Sequence, residues 1–140
     1  MATITAKKIT DLGLASSLST CAAGGDDFTN TGIEFIRIQN THASQTYTVK
    51  VKAQKRACKH PVYGNLTKDH VYIIVPHATN SAYIGPFKSG SFDTPNNKVQ
   101  ISYAVLTSGV TDATFDAAAL ISTISSGDHK LKIEVLYLEN

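Results

Sequence analysis

The amino-acid sequence predicts an all-β fold, a single-domain antiparallel β-sandwich or jelly-roll of about six to eight strands. Three observations support this prediction. Several short runs alternate apolar with polar residues, clusters of Gly, Pro, Asn and Ser separate these runs, and no long helical pattern lies between them. The length of 140 residues fits one domain, and 42% hydrophobic with only 17% charged residues excludes a disordered chain.

The first 25 residues predict an extended N-terminal arm and loop, which precedes a β-sandwich domain over residues 26–140. Between Thr3 and Ala6, threonine alternates with isoleucine and alanine, as in a strand. After its lysines this segment lacks the continuous apolar run of a signal peptide, and no run of the chain reaches the length of a membrane span. We therefore expect synthesis in the cytoplasm and no membrane partner.

The stretch "FIRIQNTHASQTYTVKVKAQ", residues 35–54, predicts a β-hairpin. In its second half Val49 and Val51 fall on one parity, whereas Lys50 and Lys52 fall on the other. The small polar residues "NTHASQ" between the two halves are typical of a turn. The hairpin is therefore expected to have one apolar face toward the core and one basic face toward solvent.

Four further runs predict strands after this hairpin: "HVYIIVPH", "NSAYIGPF", "KVQISYAVL" and "HKLKIEVLYLEN". In the last of these, Leu131 and Ile133 alternate with Lys132 and Glu134, which places the charged residues on a polar face. Residues 55–69 form a long polar excursion, which we expect to lie outside the main sheet.

One alanine-rich stretch, "TFDAAALISTISSG", predicts a short helix inserted near residues 114–125. Thr114 is the predicted N-cap, Asp116 lies in the first turn, and Gly127 is the predicted end.

The residue types of catalytic and metal sites are present but lack the necessary spacing. The histidines are His42, His60, His70, His77 and His129. None forms a metal-ligand pair such as H-x-x-x-H, and neither a nucleophile elbow nor a phosphate-binding glycine loop occurs. Cys21 and Cys58 either pair or remain free, and cytoplasmic synthesis favours free thiols. We therefore predict no enzyme activity, no catalytic residues, no metal and no cofactor.

The basic stretch "KVKAQKRACKH" contains Lys50, Lys52, Lys55 and Arg56. A nucleic-acid site would add exposed aromatic residues or a recognition helix, and the net charge of +2 is small, so we expect no nucleic-acid partner. Two interpretations remain. The lysines form a solvated face that discourages edge pairing, or they dock on an acidic protein surface.

Three blocks of the sequence resemble, in order, small all-β head proteins of tailed bacteriophages. The blocks are "AAGGDDFTNTGIEFIRIQNTHASQTYTVKV", "VPHATNSAYIGPF" and "FDTPNNKVQISY". The first is similar to the pattern A-A-G-G-D-x-F-x-N-x-G-x-E-F, the second ends in I-G-P-F, and the third contains K-V-Q-I. Together they cover about half of the chain; residues 55–69 and 107–127 depart from the pattern as insertions.

The resemblance implies a capsid decoration (cement) protein on the exterior of the virion head. The implied partners are the major capsid protein and further copies of the chain itself, with a homotrimer favoured and a homodimer possible. The predicted interface candidates are Thr3, Ile4, Thr5, Lys50, Lys52, Lys55, Arg56, Phe115, Leu120 and Ile121. The alternatives are a carbohydrate-binding module of a virion fibre, with Tyr63, Tyr72 and Tyr83 as candidate stacking residues, and a head–tail joining (neck) protein.

Overall fold

A computed structural model describes residues 1–54, 57–118 and 129–138 of the chain, with the backbone alone for residues 57–60 and 65–67. This part of the chain contains twelve strands and one short helix, so the all-β prediction is confirmed. The strands are β1 (Ala2–Thr3), β2 (Lys7–Ile9), β3 (Ser19–Thr20), β4 (Asp26–Thr29), β5 (Phe35–Asn40), β6 (Tyr47–Val51), β7 (Ala57–His60), β8 (Gly64–Thr67), β9 (Val71–Val75), β10 (Asn80–Ile84), β11 (Lys98–Ala104) and β12 (Leu131–Leu138). The strand count exceeds the prediction because pieces of two to four residues are too short to show an alternating pattern.

Ten of the strands form two five-stranded sheets. Sheet I has the order β1-β4-β11-β6-β9, and sheet II has the order β10-β5-β12-β2, with β3 also paired to β12. Both sheets are mixed, because β1 runs parallel to β4 and β2 runs parallel to β12, while the other pairs within the sheets are antiparallel. The predicted purely antiparallel arrangement is therefore wrong for the two N-terminal strands.

The predicted hairpin of residues 35–54 is wrong, because β5 and β6 lie in different sheets. The connection between them is held by Asn40, which is buried and whose side-chain amide donates to the carbonyl oxygens of Gln45 (2.8 Å) and Val75 (3.1 Å). The backbone N–H of His42 donates to the Asn40 Oδ1 at 2.9 Å. A turn anchored in this way carries the chain from one sheet to the other.

One hydrophobic core contains residues from both sheets. Ile38 and Ile133 of sheet II and Val49 and Ile101 of sheet I are all fully buried in it. The predicted apolar parities of β6, β11 and β12 are thus confirmed at these positions.

The polar excursion after β6 lies outside the two large sheets, as predicted. Its described backbone is a small antiparallel hairpin, in which β7 pairs with β8 from Ala57↔Thr67 to His60↔Gly64.

The helix α1 spans Asp112–Ala117 and begins earlier than predicted. Its N-cap is Thr111, whose hydroxyl accepts a hydrogen bond from the backbone N–H of Thr114 at 3.2 Å. The Thr114 hydroxyl in turn accepts from the Thr111 N–H at 2.8 Å, which completes a capping box. The predicted cap at Thr114 is therefore wrong by three positions, and the predicted end at Gly127 lies outside the described residues.

Within the described part of the chain, no helix is long and apolar enough to cross a membrane.

Residues 1–9, here called the arm, cross from one sheet to the other. The Ala2 N–H donates to the Gly25 carbonyl (3.0 Å) and the Ile4 N–H to the Asp27 carbonyl (2.7 Å), which places β1 on the edge of sheet I. The strand β2 then pairs with the last residues of β12 in sheet II. The predicted arm is extended, and its partners within this chain are the edges of its own two sheets.

Candidate interaction interface

Lys50 is the centre of the predicted basic face, but it does not face solvent. Its side chain is 10% exposed and lies beneath α1, where Nζ is 3.1 Å from an oxygen of Asp112 and 3.3 Å from one of Asp116. Its Nζ also lies 5.1 Å from the ring centroid of Phe115 and 5.9 Å from that of Tyr72. The prediction of an outward-facing Lys50 is wrong because α1 covers this face of β6.

The capping box explains how the helix meets this lysine. By fixing the first turn at Thr111, it places Asp112 and Asp116 four residues apart on one face of α1, and both carboxylates then reach Nζ of Lys50. Phe115 lies between them in sequence, is buried, and packs on the ring of Tyr72 at 5.8 Å between centroids. Acidic and aromatic side chains of α1 therefore enclose one cation.

Asp112 is the acceptor for several donors in this cluster. It accepts a short hydrogen bond from the Tyr72 hydroxyl and another from Lys50, and these lower the pKa of Asp112 to about 2. His70 also faces it, with Nε2 3.6 Å from the same carboxylate oxygen. Because the Ala53 N–H donates to Nδ1 of His70 at 2.9 Å, the hydrogen-bond network assigns the imidazole proton to Nε2.

We call this cluster the helix anchor. Its charges, those of Lys50 and its carboxylate partners, are fixed and not catalytic in character. A carboxylate with so low a pKa stays ionised and accepts hydrogen bonds rather than giving up a proton. Lys50 is engaged by two carboxylates at once. The arrangement therefore holds α1 against β6 and β9.

The remaining predicted interface residues fall into three groups. Lys52 follows β6 and is exposed, and its backbone N–H donates to the Gln100 carbonyl at 3.0 Å. Thr3 and Thr5 are exposed on the arm, whereas Ile4 is half-buried against the core. Lys55, Arg56, Leu120 and Ile121 lie outside the described residues. Among the described members of the predicted set, the structure brings Lys50 and Phe115, which are distant in the sequence, together in the interior.

A polar cluster fixes β1 to β4. The Thr3 hydroxyl donates to Asp27 Oδ1 at 2.6 Å, and Nζ of Lys98 lies 2.9 Å from both of these oxygens. Burial acts to raise the pKa of Asp27, but the hydrogen bonds from Thr3 and Lys98 outweigh it, so this pKa is lowered. The strand β1 at the start of the arm is thus held by one ionised carboxylate.

Glu134 is a buried carboxylate that the sequence pattern places on a polar, outward face. It is covered by the loop after the arm, because it accepts hydrogen bonds from the Ser16 hydroxyl (2.9 Å) and the Ser17 N–H (3.1 Å). Nη1 of Arg37 pairs with it at 3.0 Å. Burial acts to raise the pKa of Glu134, yet these three donors together lower it. Strand alternation carries no signal of a loop that folds back over a sheet.

The outer face of sheet II presents an exposed aromatic residue beside an ion pair. Tyr83, Arg37 and Glu134 lie side by side on β10, β5 and β12, and Tyr83 is 65% exposed. A cavity of about 230 Å³ beside them is lined by Ile9, Leu14, Ser16, Phe35, Arg37, Tyr83, Glu134 and Leu136. From the sequence alone, Tyr83 is only a candidate stacking residue and Phe35 is not singled out, although both have the outward parity of β10 and β5.

The three sequence blocks meet at Asn30, which is buried. Its side-chain amide donates to the Phe87 carbonyl of the second block (3.0 Å) and to Asp93 Oδ1 of the third (2.6 Å). Asn30 itself belongs to the first block, and its Oδ1 accepts from the Gly32 N–H at 3.2 Å. We call this contact the motif junction.

A second contact joins the first and third blocks. The buried Tyr103 hydroxyl donates to Asp26 Oδ2 at 2.7 Å, and burial raises the pKa of both groups. Cys21 beside them is a free, buried thiol, whose pKa burial also raises. Gly25 has φ +87°, and a Cβ there would lie 2.5 Å from the Ile101 carbonyl oxygen, so the pattern's glycine is required by close packing.

No group of three or more His, Cys, Asp or Glu residues in the described ranges is arranged to hold a metal ion. No protein-family model, no curated protein and no solved structure matches this chain.

Proposed function

We propose that this protein is a capsid decoration protein, which binds the outer surface of an assembled tailed-phage head and bridges neighbouring capsomers. The observation that carries the proposal is the motif junction. Of the three blocks that resemble small phage head proteins, the first is separated from the other two along the chain, yet its Asn30 contacts both Phe87 and Asp93 directly. This contact supports the interpretation that the blocks form one structural unit.

We also propose that the two sheets pack face to face as a β-sandwich of the jelly-roll type. The support is the single core to which both sheets contribute. A module of this kind suits a cement protein, because it offers large fixed surfaces. If it binds only the assembled shell, its binding free energy adds to the stability of the shell.

The proposed contacts to the major capsid protein are the described candidates that remain accessible. These are Lys52 and the arm residues Thr3 and Thr5, to which we add the apolar face around Tyr83 and Phe35. Lys50 and Phe115 are internal and are no longer proposed as direct contacts. Self-association, with a homotrimer favoured, would raise the avidity of attachment without new contacts in each copy.

Co-sedimentation with expanded, undecorated phage heads tests the proposal. We expect the purified protein to sediment with the heads, to saturate at a fixed ratio, and to raise the temperature at which the heads dissociate. The variant Tyr83→Ser, on the exposed apolar face, should weaken attachment, whereas Tyr63→Ser, on the separate β7–β8 hairpin, serves as the matched control. A protein that stays in the supernatant at all concentrations contradicts the proposal.

The copy number per virion separates this function from that of a neck protein. Quantitative mass spectrometry of purified particles should give hundreds of copies for a decoration protein, and about a dozen for a protein at the head–tail joint.

One observation favours a second candidate function, a carbohydrate-binding module of a virion fibre. Tyr63 and Tyr83 are 75% and 65% exposed and are thus able to stack on sugar rings. Tyr72, in contrast, is engaged by Asp112 and Phe115. Binding of the isolated protein to a glycan array, lost in the Tyr83→Ser variant, would support this alternative.

A further inference from the structure

We propose that the arm exchanges between copies of this chain, so that residues 1–9 of one molecule occupy the cleft between the sheet edges of a second molecule. The inference concerns contacts between copies of the chain itself and holds whether or not the protein decorates a phage head. It rests on three properties of the arm. The arm makes few contacts with its own molecule, open grooves lie beside it, and the segment that joins it to the sheets is exposed.

The arm is held by short parallel pairings and by the polar cluster at Thr3. The strand β1 pairs two residues with β4, and β2 pairs three residues with β12, both in parallel register. Every arm residue is exposed or half-buried, and only Ile4 and Ala6 pack against the core. Parallel pairing is slightly weaker per residue than antiparallel pairing, so the arm is attached less firmly than the central strands.

Cavities lie on both sides of the crossing segment. One, of about 450 Å³, is lined on the arm side by residues 3–6 and on the other by Thr29, Thr31, Ile33, Glu34 and Tyr137. The second, of about 320 Å³, lies between the arm and Asp26, Ile133 and Glu134. Both cavities are open to solvent, so the crossing segment lies between surface grooves and is not enclosed by the two sheets.

The connection after the arm is exposed over most of its length. Residues 11–17 are all exposed, and Leu12 is 98% exposed. Polar contacts hold this loop to sheet II, chiefly those of Ser16 and Ser17 to Glu134. Residues 10–18 fully extended would span about 30 Å, which is enough to carry the arm into an adjacent molecule while Ser19 stays on β12.

An exchanged arm makes the same contacts that it makes in its own chain. The polar cluster of Thr3, Asp27 and Lys98 and the pairing of β2 with β12 would re-form between two chains. Protein concentration therefore sets the equilibrium between chains that bind their own arm and chains that exchange arms, as in other domain swaps. A surface on which many copies lie side by side is the condition that favours exchange.

A disulfide-trapping experiment tests the exchange directly. Thr3 and Asp27 are register partners whose side chains touch, so cysteines at these two positions can form a disulfide only where β1 lies on β4. One chain carries Thr3→Cys and an isotope-labelled second chain carries Asp27→Cys. After mixing and mild oxidation, we expect disulfides that link position 3 of one chain to position 27 of the other, increasing with protein concentration.

Two controls complete this test. The parent chain, which retains Cys21 and Cys58, measures background disulfides, and the double variant Thr3→Cys/Asp27→Cys shows that the pair closes within one chain at low concentration. The proposal is overturned if the double variant closes within its own chain at every concentration and the mixture yields only background.

A shortened connection gives a second, independent measurement. Ile9 pairs with Leu138 and Ser17 is bonded to Glu134, so about 13 Å separates their attachment points along β12. Deletion of residues 10–15 leaves a connection of about 7 Å, which is too short for the arm to fold back on its own chain. We expect the molar mass by light scattering to at least double relative to a control in which a Gly/Ser linker of equal length replaces the same residues. A folded deletion variant with the mass of the control contradicts the exchange.

Discussion

The helix α1 and the arm are both short segments that lie against one or both sheets, but they are held by different physical means. The helix anchor combines a buried cation, two carboxylates and two aromatic rings around Lys50. The arm depends on short backbone pairings and on the exposed Thr3 hydroxyl, which is bonded to Asp27 and Lys98.

The difference determines which segment is able to leave the molecule. Removing α1 would expose Phe115 and leave Lys50 without its two carboxylate partners. This would cost several kcal/mol. Removing the arm exposes mainly Ile4 and Ala6 and frees backbone groups that water can satisfy. We therefore regard α1 as a fixed part of the fold and the arm as an exchangeable part.

The largest expected effect is that of Phe115→Ala. Because Phe115 is fully buried between α1 and Tyr72, its truncation leaves a cavity and should lower the free energy of unfolding by about 3–5 kcal/mol. Urea denaturation followed by circular dichroism measures this loss. Phe115→Leu, which keeps most of the apolar volume, should lose clearly less. Equal losses for both variants would mean that α1 is not held through this ring.

The next effect separates two lysines that the sequence pattern treats as equivalent. Lys50→Glu replaces the buried cation by a carboxylate that faces those of Asp112 and Asp116, and should lower the free energy of unfolding by about 3 kcal/mol. Lys52→Glu, on the exposed position two residues later, should change it by less than about 0.5 kcal/mol. Thermal and urea unfolding of the two variants measure the contrast; similar stabilities would place Lys50 in solvent after all.

Strand periodicity predicted the inward faces of the sheets because alternation is a local property of the backbone. Val49, Ile101 and Ile133 are buried, as their parities indicate. Alternation does not identify which strand pairs with which, so the turn after Asn40 was predicted as a hairpin although it joins two sheets.

The polar faces were predicted less well, since their exposure depends on segments that are distant in the sequence. Lys50 and Glu134 both have the parity of an outward residue, and both are buried by a segment that folds over the sheet. Nothing within their own strands indicates that α1 covers the first and the loop of residues 11–17 the second. The sequence blocks around Asn30 carried more information, because their glycines and polar residues meet requirements of close packing.

A smaller effect is expected for Ile4→Ala in the arm. Ile4 is half-buried, so its truncation should lower the free energy of unfolding by about 1 kcal/mol. The arm itself should open much more often, which limited proteolysis detects as faster cleavage within residues 1–17 while the remaining chain stays intact. Thr5→Ala, on the neighbouring exposed position, is the control. If Ile4→Ala instead accelerates cleavage throughout the chain, the arm unfolds together with the sheets and is not separately exchangeable.

As the pH falls, the loop that follows the arm should be released before α1 is. Of the predicted effects, this one should change the global stability least. The pKa of Glu134 is lowered from its ordinary value of 4.5, so its stabilisation is present above pH 4.5 and is lost as the pH falls through the lowered pKa. The pKa of Asp112 is lowered from 3.8 to about 2, so the helix anchor begins to weaken only below pH 3.8 and is retained until about pH 2. The pKa of Asp26 is raised, so its protonation at low pH favours the folded state. The sheets should therefore stay together while these contacts are lost. Hydrogen exchange measured from pH 5 downward, corrected for intrinsic rates, should therefore show loss of protection at the Ser17 amide before loss in α1. Loss in α1 first would reverse the comparison and make the helix the more weakly held segment.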